Sequence, residues 1–289
     1  MLPLFLMLLA ATPAPAGATG SEIKVAGPEK AKASDIVLPL GDSLRAVTWE
    51  NLAEKPTAPR HVALACLVMT SEGTPVSCVP ATPRLKVANI AQWNALFDAY
   101  GAAATTPPTA ERSLTDIAAL RVVNTRLRPE RSGKGKADWK VMIFDEVFSP
   151  TDARPHPPPG EALAMSAVTL EKNFDPDILR MLYPLVAQRY QMAARVTITC
   201  HIEQTLTLLC REPGRIDAEQ GQAPAAEAEG IYPALVFASY QAASTIRLAP
   251  KAKDGRDVAG KDLTLSFRWA LPPGETPPSA LPEPRPEGR

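Results

Sequence analysis

The sequence predicts an α+β protein built from two tandem units, each with the order helix, β-hairpin, helix and strand and a small antiparallel sheet. Two cysteine pairs support this prediction, because each lies in an aliphatic and β-branched stretch that polar residues interrupt once. The pattern Arg-Leu-x-Pro also supports it, since it begins at Arg126 and again at Arg247, each time after a helical stretch. A basic, glycine-bearing segment and a final apolar strand follow each pattern. The elements therefore occur twice in the same order.

The bulk composition restricts the class of protein. A length of 289 residues favours two domains, and 31 basic residues balance 31 acidic ones. The chain therefore has no net charge that would attract nucleic acid or an anionic membrane. Hydrophobic residues make up 45% of the chain and aromatic residues only 6%, which predicts aliphatic cores. The 31 prolines are about twice the average usage, and their clusters predict linkers and tails.

The N-terminus has the pattern of a secretory signal peptide. An apolar run from Leu2 to Ala11 precedes Ala14-Pro15-Ala16 and Ala16-Gly17-Ala18, which both fit the small-x-small cleavage pattern. The run is shorter than the ~20 residues of a membrane span. No Lys or Arg precedes it, but the alternative, a buried first helix, does not explain the Ala-x-Ala endings. We therefore expect a signal peptide over 1–18, an extended segment over 19–42 and an exported protein, either periplasmic or secreted. The sequence leaves open whether the signal is cleaved or kept as an anchor.

The first hairpin predicts its own register. A three-residue loop Ser71-Glu72-Gly73, with its glycine in the left-handed conformation, is a common hairpin connection. This loop pairs Thr70 with Thr74, and counting back two residues at a time places Cys66 directly opposite Cys78. Opposed β-carbons lie ~4.5–5.5 Å apart, close to the separation that a disulfide needs. We therefore expect a Cys66–Cys78 disulfide, which contributes roughly 2–3 kcal/mol.

The second hairpin alternates cleanly between apolar and polar residues. Its two faces carry Val196, Ile198, Cys200 and Ile202 on one side and Thr197, Thr199, His201 and Glu203 on the other. The same symmetry places Cys200 opposite Cys210, although the turn Gln204-Thr205-Leu206 lacks a glycine. A zinc site is the alternative use of four cysteines, but zinc ligands usually come in closely spaced pairs such as C-x-x-C. The prediction is therefore one disulfide in each hairpin and no metal site.

Helix signals lie on both sides of each hairpin. In the first unit, Pro107-Pro108 and the capping box Ser113-x-x-Asp116 predict the start of the helix after the hairpin. In the second unit, Pro176-Asp177 opens an amphipathic stretch before the hairpin that reaches Gln188, and Ser43 to Glu54 is its counterpart in the first.

These signals divide the chain into segments. The first unit is expected over 43–148 and the second over 175–270. Between them, 149–174 is expected to be a Pro-rich linker, since Ser149 to Gly160 cannot pack as a strand or a helix. Residues 271–289 are rich in Pro and Glu and predict a disordered tail.

Several motifs of the second unit resemble the TonB C-terminal domain. Tyr183-Pro184-x-x-Ala187 followed by Ala194-Arg195-Val196 is similar to the family's Tyr-Pro-x-x-Ala…Gly-x-Val opening. Arg247-Leu-Ala-Pro250 with Asp254-Gly255-x-x-Val258 is similar to its Phe-x-Pro…Asp-Gly-x-x-Val passage. Leu263 to Trp269 is similar to its closing strand, and the cysteine pair resembles a subgroup with a disulfide-closed hairpin. The first unit lacks the Tyr-Pro opening and the Asp-Gly pair, so it resembles a degenerate copy.

The resemblance implies a periplasmic protein that binds the N-terminal peptide of an outer-membrane TonB-dependent receptor in transmembrane transport. The peptide would add as a strand to an exposed sheet edge, where backbone hydrogen bonds supply affinity. The candidate edge in the second unit is the last strand, which consists of Leu263, Thr264, Leu265, Ser266, Phe267, Arg268 and Trp269. In the first unit the candidate edge is Trp139 to Val147. Charges beside an edge either protect it from wrong pairing or are simply solvated.

Two features depart from a TonB energy transducer, which keeps an N-terminal membrane anchor and carries one C-terminal domain after a long Pro-rich spacer. Here the N-terminal run has the pattern of a cleavable signal, and the unit occurs twice. The resemblance therefore implies a relative that binds a partner without transmitting force. The sequence leaves open whether the first unit binds anything and whether the protein is a monomer or a strand-exchanged dimer.

The sequence favours a protein that is not an enzyme and needs no cofactor. His61 precedes a strand, His156 lies in the linker and His201 is on the polar side of a hairpin, so no histidine is tied to a nucleophile. Asp175-Pro176-Asp177 is explained by acids at a helix N-terminus and Lys134-Gly135-Lys136 by a turn. The chain has no G-x-S-x-G, H-E-x-x-H, P-loop or dinucleotide motif. The alternatives are a structural envelope protein that binds the cell wall and, in third place, a secreted hydrolase.

Overall fold

The computed structural model describes residues 23–104, 108–130, 138–155, 157–172, 176–221, 223 and 225–271. Within them the chain is an α+β protein with two compact units, the first made of residues 23–40 and 48–151 and the second of residues 41–47 and 152–271. Several predicted features lie outside the described residues: the signal peptide over 1–18, the turn Lys134-Gly135-Lys136, His156, Asp175 and the tail beyond residue 271.

The first unit is built on a four-stranded sheet with the strand order β1-β6-β3-β4. Its elements are β1 (Val25–Lys30), β2 (Ile36–Leu38), α1 (Asp42–Glu50), β3 (Arg60–Met69), β4 (Thr74–Pro80), α2 (Ile90–Ala102), α3 (Ala110–Val123), β5 (Arg126–Leu127) and β6 (Trp139–Phe148). The residues of α1 up to Val47 group with the second unit. Strand β1 runs parallel to β6, whereas the other neighbours are antiparallel. Strands β2 and β5 form a separate antiparallel pair.

Helix α3 packs against β3 and β4 and closes the first core. The buried cluster combines side chains of α3 with side chains of the strands: Leu114, Ile117, Ala118, Val122, Leu64, Cys66, Val68, Cys78, Met142, Phe144 and Phe148. Each large apolar side chain contributes about 1.5–3 kcal/mol when it leaves water. The disulfide of the first hairpin therefore lies inside an aliphatic core.

The second unit repeats this sheet topology, with the strand order β7-β12-β9-β10. Its elements are β7 (Ala162–Leu163), β8 (Leu170–Lys172), α4 (Pro176–Leu182), α5 (Leu185–Arg189), β9 (Ala193–Ile202), β10 (Leu208–Gln220), α6 (Ala225–Ala243), β11 (Arg247–Leu248) and β12 (Asp262–Trp269). Here β7 runs parallel to β12, and β8 pairs antiparallel with β11. Each unit thus has a leading strand that the predicted order lacks.

The leading strands correct two predictions. The sheets are mixed and not purely antiparallel, and the unit starts at 43 and 175 exclude β1, β2, β7 and β8. The predicted linker over 149–174 contains β7 and β8, and Pro150–Asp152 forms a 3-10 turn in which Asp152 is buried. Proline removes a backbone donor but still fits the first turn of a helix. Strands of two or three residues are too short to show any alternation.

Both predicted disulfides are present, Cys66 with Cys78 and Cys200 with Cys210. Gly73 has the expected left-handed conformation, at φ +63°. The predicted pairing of Thr70 with Thr74 is wrong, because Met69 pairs with Thr74. An extra residue of β4, between the pairs Leu67–Ser77 and Val68–Pro75, then shifts the register back and brings the cysteines opposite each other.

In the second hairpin the predicted three-residue loop is correct. The Glu203 N–H donates to the Thr207 carbonyl at 2.9 Å, which leaves Gln204-Thr205-Leu206 as the loop. Leu206 adopts a left-handed conformation, at φ +63°, where a glycine would be expected.

Two helix predictions need correction. Helix α3 begins at Ala110, and the Thr109 hydroxyl accepts the Arg112 N–H at 3.1 Å, so the predicted capping box at Ser113 lies inside the helix. The amphipathic stretch up to Gln188 is divided into α4 and α5, because Pro184 lacks an N–H and restricts the residue before it. The predicted helix over 43–54 is α1, which ends at Glu50.

Candidate functional site

The outer edge of β12 is the candidate binding edge of the second unit. Strand β12 pairs with β9 along its whole length, from Asp262 opposite His201 to Trp269 opposite Ala194. On its other side β7 pairs only with Asp262 and Leu263. Beyond Leu263, no second strand lies along this edge in the part of the chain that the structure describes.

The backbone direction of this edge follows from one hydrogen bond. The Asp262 N–H donates to the Glu161 carbonyl at 3.0 Å, on the side away from β9. Because successive N–H groups of a strand point to alternate sides, the N–H groups of Thr264, Ser266 and Arg268 face the same outer edge. These are the donors that an added strand would use.

Side chains of β12 alternate between the core and the solvent. Leu263, Leu265, Phe267 and Trp269 are buried, and Thr264, Ser266 and Arg268 are exposed. The Trp269 indole N–H donates to the Ser239 hydroxyl at 2.9 Å, and its ring stacks on Tyr183 with centroids 6.1 Å apart. Burial raises the pKa of Tyr183 to about 12, so its hydroxyl stays protonated. The inner face therefore fixes the position of the edge.

The opposite edge of the second sheet is less regular. The N–H of Cys210 donates to the Ser43 hydroxyl at 2.9 Å, and that hydroxyl lies 3.3 Å from the Leu208 carbonyl. Further along β10, the pairing with β9 shifts register between Arg211 and Arg215. These features make β12 the better candidate for strand addition.

Charged groups at both ends of β12 are held in ion pairs. Glu219 accepts from Arg268 at 2.7 Å, and the Arg195 guanidinium lies 3.3 Å from the same carboxylate. Before the strand, Glu161 accepts from Lys261 at 2.6 Å and from Arg256 at 2.7 Å. These charges are paired with one another and do not simply project into solvent.

The same lysine position recurs in the first unit. Each of the two lysines, Lys140 and Lys261, lies two residues before the residue that is paired with the first cysteine of its hairpin. They therefore occupy equivalent positions in the two sheets, and their side chains are 15% and 16% exposed. Lys140 donates to Glu130 at 3.3 Å and forms an ion pair with Glu29 at 2.7 Å. Burial alone would lower the pKa of Lys140, but the hydrogen bonds to these two glutamates outweigh it and raise the pKa. In both units, a lysine thus ties the leading segment to the last strand.

The prediction that Trp139 to Val147 is an exposed edge strand is wrong for the first half of that stretch. Strand β6 lies inside the sheet, since β1 pairs with Trp139, Lys140, Met142 and Ile143. The β1 sequence contains Gly27-Pro28, which hides it from a search for alternation. The pairing slips at this dipeptide and resumes at Glu29.

The repeated Arg-Leu-x-Pro pattern has a structural role. The Arg126 guanidinium donates to the Val123 and Thr125 carbonyls at 2.7 and 2.6 Å, and Arg247 donates to the Ser244 and Ile246 carbonyls at 2.9 and 2.8 Å. Each arginine therefore satisfies carbonyl groups at the end of the preceding helix. Burial lowers the pKa of Arg126 to about 10, which still leaves it charged at neutral pH.

The two histidines that the structure describes, His61 and His201, pair with carboxylates. The Nδ1 atom of His61 lies 3.1 Å from Asp145 Oδ2, and that of His201 lies 2.9 Å from Asp262 Oδ1. Within the described residues, neither ring has a hydrogen bond to a serine, threonine or cysteine side chain, and all four cysteines are in disulfides. The same residues contain no group of three or more His, Cys, Asp or Glu side chains placed to hold a metal ion.

The described residues form a disulfide-containing α+β protein whose second sheet has an edge at β12 that no described strand pairs with beyond Leu263. Comparison with protein-family models, characterised proteins and solved structures finds no match to this chain. None of the described helices combines the length and the apolar character needed to cross a membrane.

The ion pairs around β12 predict a loss of stability in acid. The hydrogen bonds from Lys261 and Arg256 hold the pKa of Glu161 below its ordinary value, and that from Arg268 does the same for Glu219. A lowered folded-state pKa contributes stability that is fully present above the unfolded-state pKa and is lost as the pH falls through the folded-state pKa. We expect the free energy of unfolding of the second unit to fall below about pH 4.5.

Urea unfolding at pH 6 and pH 3.5, followed through the NMR signal of the Trp269 indole N–H, checks this expectation. The Glu161→Gln variant should lose less stability between the two pH values than the parent protein. The control is Glu171→Gln, an exposed glutamate without an ion pair to any described residue. Equal pH dependence of Glu161→Gln and the parent protein would contradict the assignment.

Proposed function

We propose that this protein is an exported, TonB-like interaction protein that binds an extended peptide of a partner protein along the outer edge of β12. The observation that carries the proposal is the pairing of β12, which is complete on the β9 side and limited to Asp262 and Leu263 on the other. Strand addition at such an edge gains affinity from backbone hydrogen bonds and selectivity from side-chain contacts.

The first unit supports this mode of binding. At the corresponding place β1 lies alongside β6 as a parallel strand, and its pairing with β6 runs from Val25 to Lys30. The leading strand β7 of the second unit is also parallel but only two residues long. This type of sheet edge therefore accepts a parallel neighbour, and a longer one than β7.

The sequence features support the cellular setting that we propose. The apolar N-terminal run with its Ala-x-Ala endings is typical of an exported protein, and disulfides persist in oxidising compartments such as the periplasm. The TonB-like motifs from Tyr183 to Trp269 favour an outer-membrane receptor as the partner, in the context of transport. The peptide would be the N-terminal segment of such a receptor.

A titration of the full-length ¹⁵N-labelled protein, with both disulfides intact, tests the proposal. Synthetic peptides with the N-terminal sequences of outer-membrane receptors should shift the amide signals of Thr264, Ser266 and Arg268. The Ser266→Pro variant should weaken peptide binding by about tenfold, because it removes an outward N–H and places a ring at the edge. It should keep the fold, because proline is tolerated where the N–H faces away from the ladder.

The matched control is Ser266→Ala, which keeps the backbone donor and should bind as the parent protein does. Two results would contradict the proposal. One is the absence of shifts along β12 at millimolar peptide. The other is equal affinity of Ser266→Pro and Ser266→Ala when both variants show the Trp269 indole signal of the folded protein.

A further inference from the structure

A cavity of about 260 Å³ opens in the first unit, away from the edge of β12. It lies where β1, β3 and β6 meet the segment that follows β5. Its floor is apolar and consists of the buried residues Val68, Leu127 and Met142, and the exposed Pro129 also lines the cavity. Its rim is charged and consists of Glu29, Lys30, Lys32, Asp35, Arg128, Glu130 and Lys140.

The acidic groups of the rim are already engaged. Glu29 and Glu130 both pair with Lys140, at 2.7 and 3.3 Å. The Asp35 carboxylate accepts the backbone N–H of Lys32 at 2.9 Å. Each of these three carboxylates therefore already has an ion-pair or hydrogen-bond partner within the unit.

The basic groups of the rim exceed the acidic ones. The lining contains four basic and three acidic residues, which is a formal surplus of one positive charge. The side chains of Lys30, Lys32 and Arg128 are exposed and form no ion pair with the residues that the structure describes. A single negative charge balances this surplus.

We propose that the cavity binds a small organic carboxylate with an apolar body. The carboxylate lies at the rim against Arg128 and Lys32, where guanidinium and ammonium groups offer charged hydrogen bonds. The apolar body lies on the floor, against Val68 and Met142. Ligand pockets usually span roughly 300–1,000 Å³. This cavity, at about 260 Å³, is slightly smaller and therefore takes a small ligand. A short fatty acid and the C-terminal residue of a peptide share this chemistry.

The second unit provides an internal comparison. Leu206 stands at the hairpin position of Gly73, and Ala249 stands at the position of Arg128 in the Arg-Leu-x-Pro pattern. The second unit therefore lacks both the cation and the small residue that line the cavity. Binding is expected in the first unit alone.

Isothermal titration and amide spectra of the full-length protein, with disulfides intact, test this site with hexanoate and with its neutral counterpart hexanamide. Hexanoate should shift the amide signals of Thr70, Gly73 and Met142. Hexanamide should bind at least about fivefold more weakly, because it lacks the charge. The Arg128→Gln variant should weaken hexanoate binding about three- to tenfold. The control Arg84→Gln, an exposed arginine outside the lining, should change nothing.

The peptide Ala-Ala-Leu, with a free or an amidated C-terminus, separates the two sources of carboxylate. Tighter binding of the free-acid peptide than of hexanoate identifies a peptide terminus, and the reverse identifies a fatty acid. Equal binding of hexanoate and hexanamide overturns the proposal. So does an equal effect of Arg128→Gln and Arg84→Gln, or the absence of shifts at the cavity with 10 mM hexanoate, a concentration of the order at which a weak small-ligand site fills.

Discussion

Replacing Arg121 with alanine is expected to lower the free energy of unfolding of the first unit by about 3–5 kcal/mol. Arg121 is fully buried on α3. Its Nε donates to the Thr48 hydroxyl at 2.7 Å, and its guanidinium lies 4.0 Å from the centre of the Phe148 ring. The same group pairs with Glu146 at 3.5 Å, and that carboxylate is only 13% exposed. The alanine variant therefore leaves a cavity and takes the cation away from a largely buried carboxylate.

Urea unfolding followed by tryptophan fluorescence measures this effect, since Trp49, Trp93 and Trp139 belong to the first unit and only Trp269 to the second. Arg84→Ala, at an exposed position, should stay within about 0.5 kcal/mol of the parent protein. The double variant Arg121→Met with Glu146→Gln should recover part of the loss, because it fills the space and removes the buried charge. A loss below about 1 kcal/mol for Arg121→Ala would show that the buried arginine is not a major source of stability.

Replacing Gly73 with alanine is expected to lower the free energy of unfolding of the first unit by about 2–4 kcal/mol. Gly73 has a left-handed backbone, at φ +63°, and a β-carbon there would overlap the Leu127 carbonyl oxygen. The Gly73 carbonyl also accepts the Leu127 N–H at 2.9 Å, which joins the hairpin turn to β5. The alanine variant strains the turn and separates these two segments.

The second unit offers the opposite substitution at the same hairpin position. Leu206 has φ +63°, and its carbonyl lies 3.4 Å from the Leu248 nitrogen. Leu206→Gly should raise the free energy of unfolding of the second unit by up to about 1 kcal/mol, because glycine adopts this conformation without steric cost. Unfolding curves of both variants, read from the indole signals of Trp93 and Trp269, give the two signs. A neutral Gly73→Ala would mean that the turn relaxes around the new methyl group.

Local geometry explains which features of the fold could be predicted. A hairpin is closed by neighbours in sequence, so alternation and turn length were enough to place Cys66 opposite Cys78 and Cys200 opposite Cys210. The first register is correct although the Thr70–Thr74 pair is not. The observed turn is one residue longer than the predicted turn, and β4 contains one bulged residue. The two shifts of register cancel, so the cysteines remain opposite each other. The Arg-Leu-x-Pro repeat was also visible, but its role in capping the preceding helix depends on the folded backbone.

Features that depend on distant segments could not be predicted. Strands β1 and β7 pair with β6 and β12, about one hundred residues away along the chain, and neither shows alternation. The first of them contains Gly27-Pro28, and the second is two residues long. The candidate edge at β12 was predicted as a strand, but its outward donors follow only from the bond between Asp262 and Glu161. The cavity in the first unit joins four segments and has no sequence motif.

The Cys200–Cys210 disulfide also restricts the register of the sheet that carries the edge of β12. A covalent link between directly opposed residues prevents β9 from sliding along β10, and β12 takes its register from β9. A slip of β12 by one residue against β9 would turn Phe267 and Trp269 towards solvent and exchange the outward and inward N–H groups. In the observed register, the donors of Thr264, Ser266 and Arg268 repeat at a spacing of about 6.8 Å, which is two residues of extended chain. A peptide bound as we propose would therefore add to a sheet in which a covalent bond fixes the register of the neighbouring strand pair, β9 and β10.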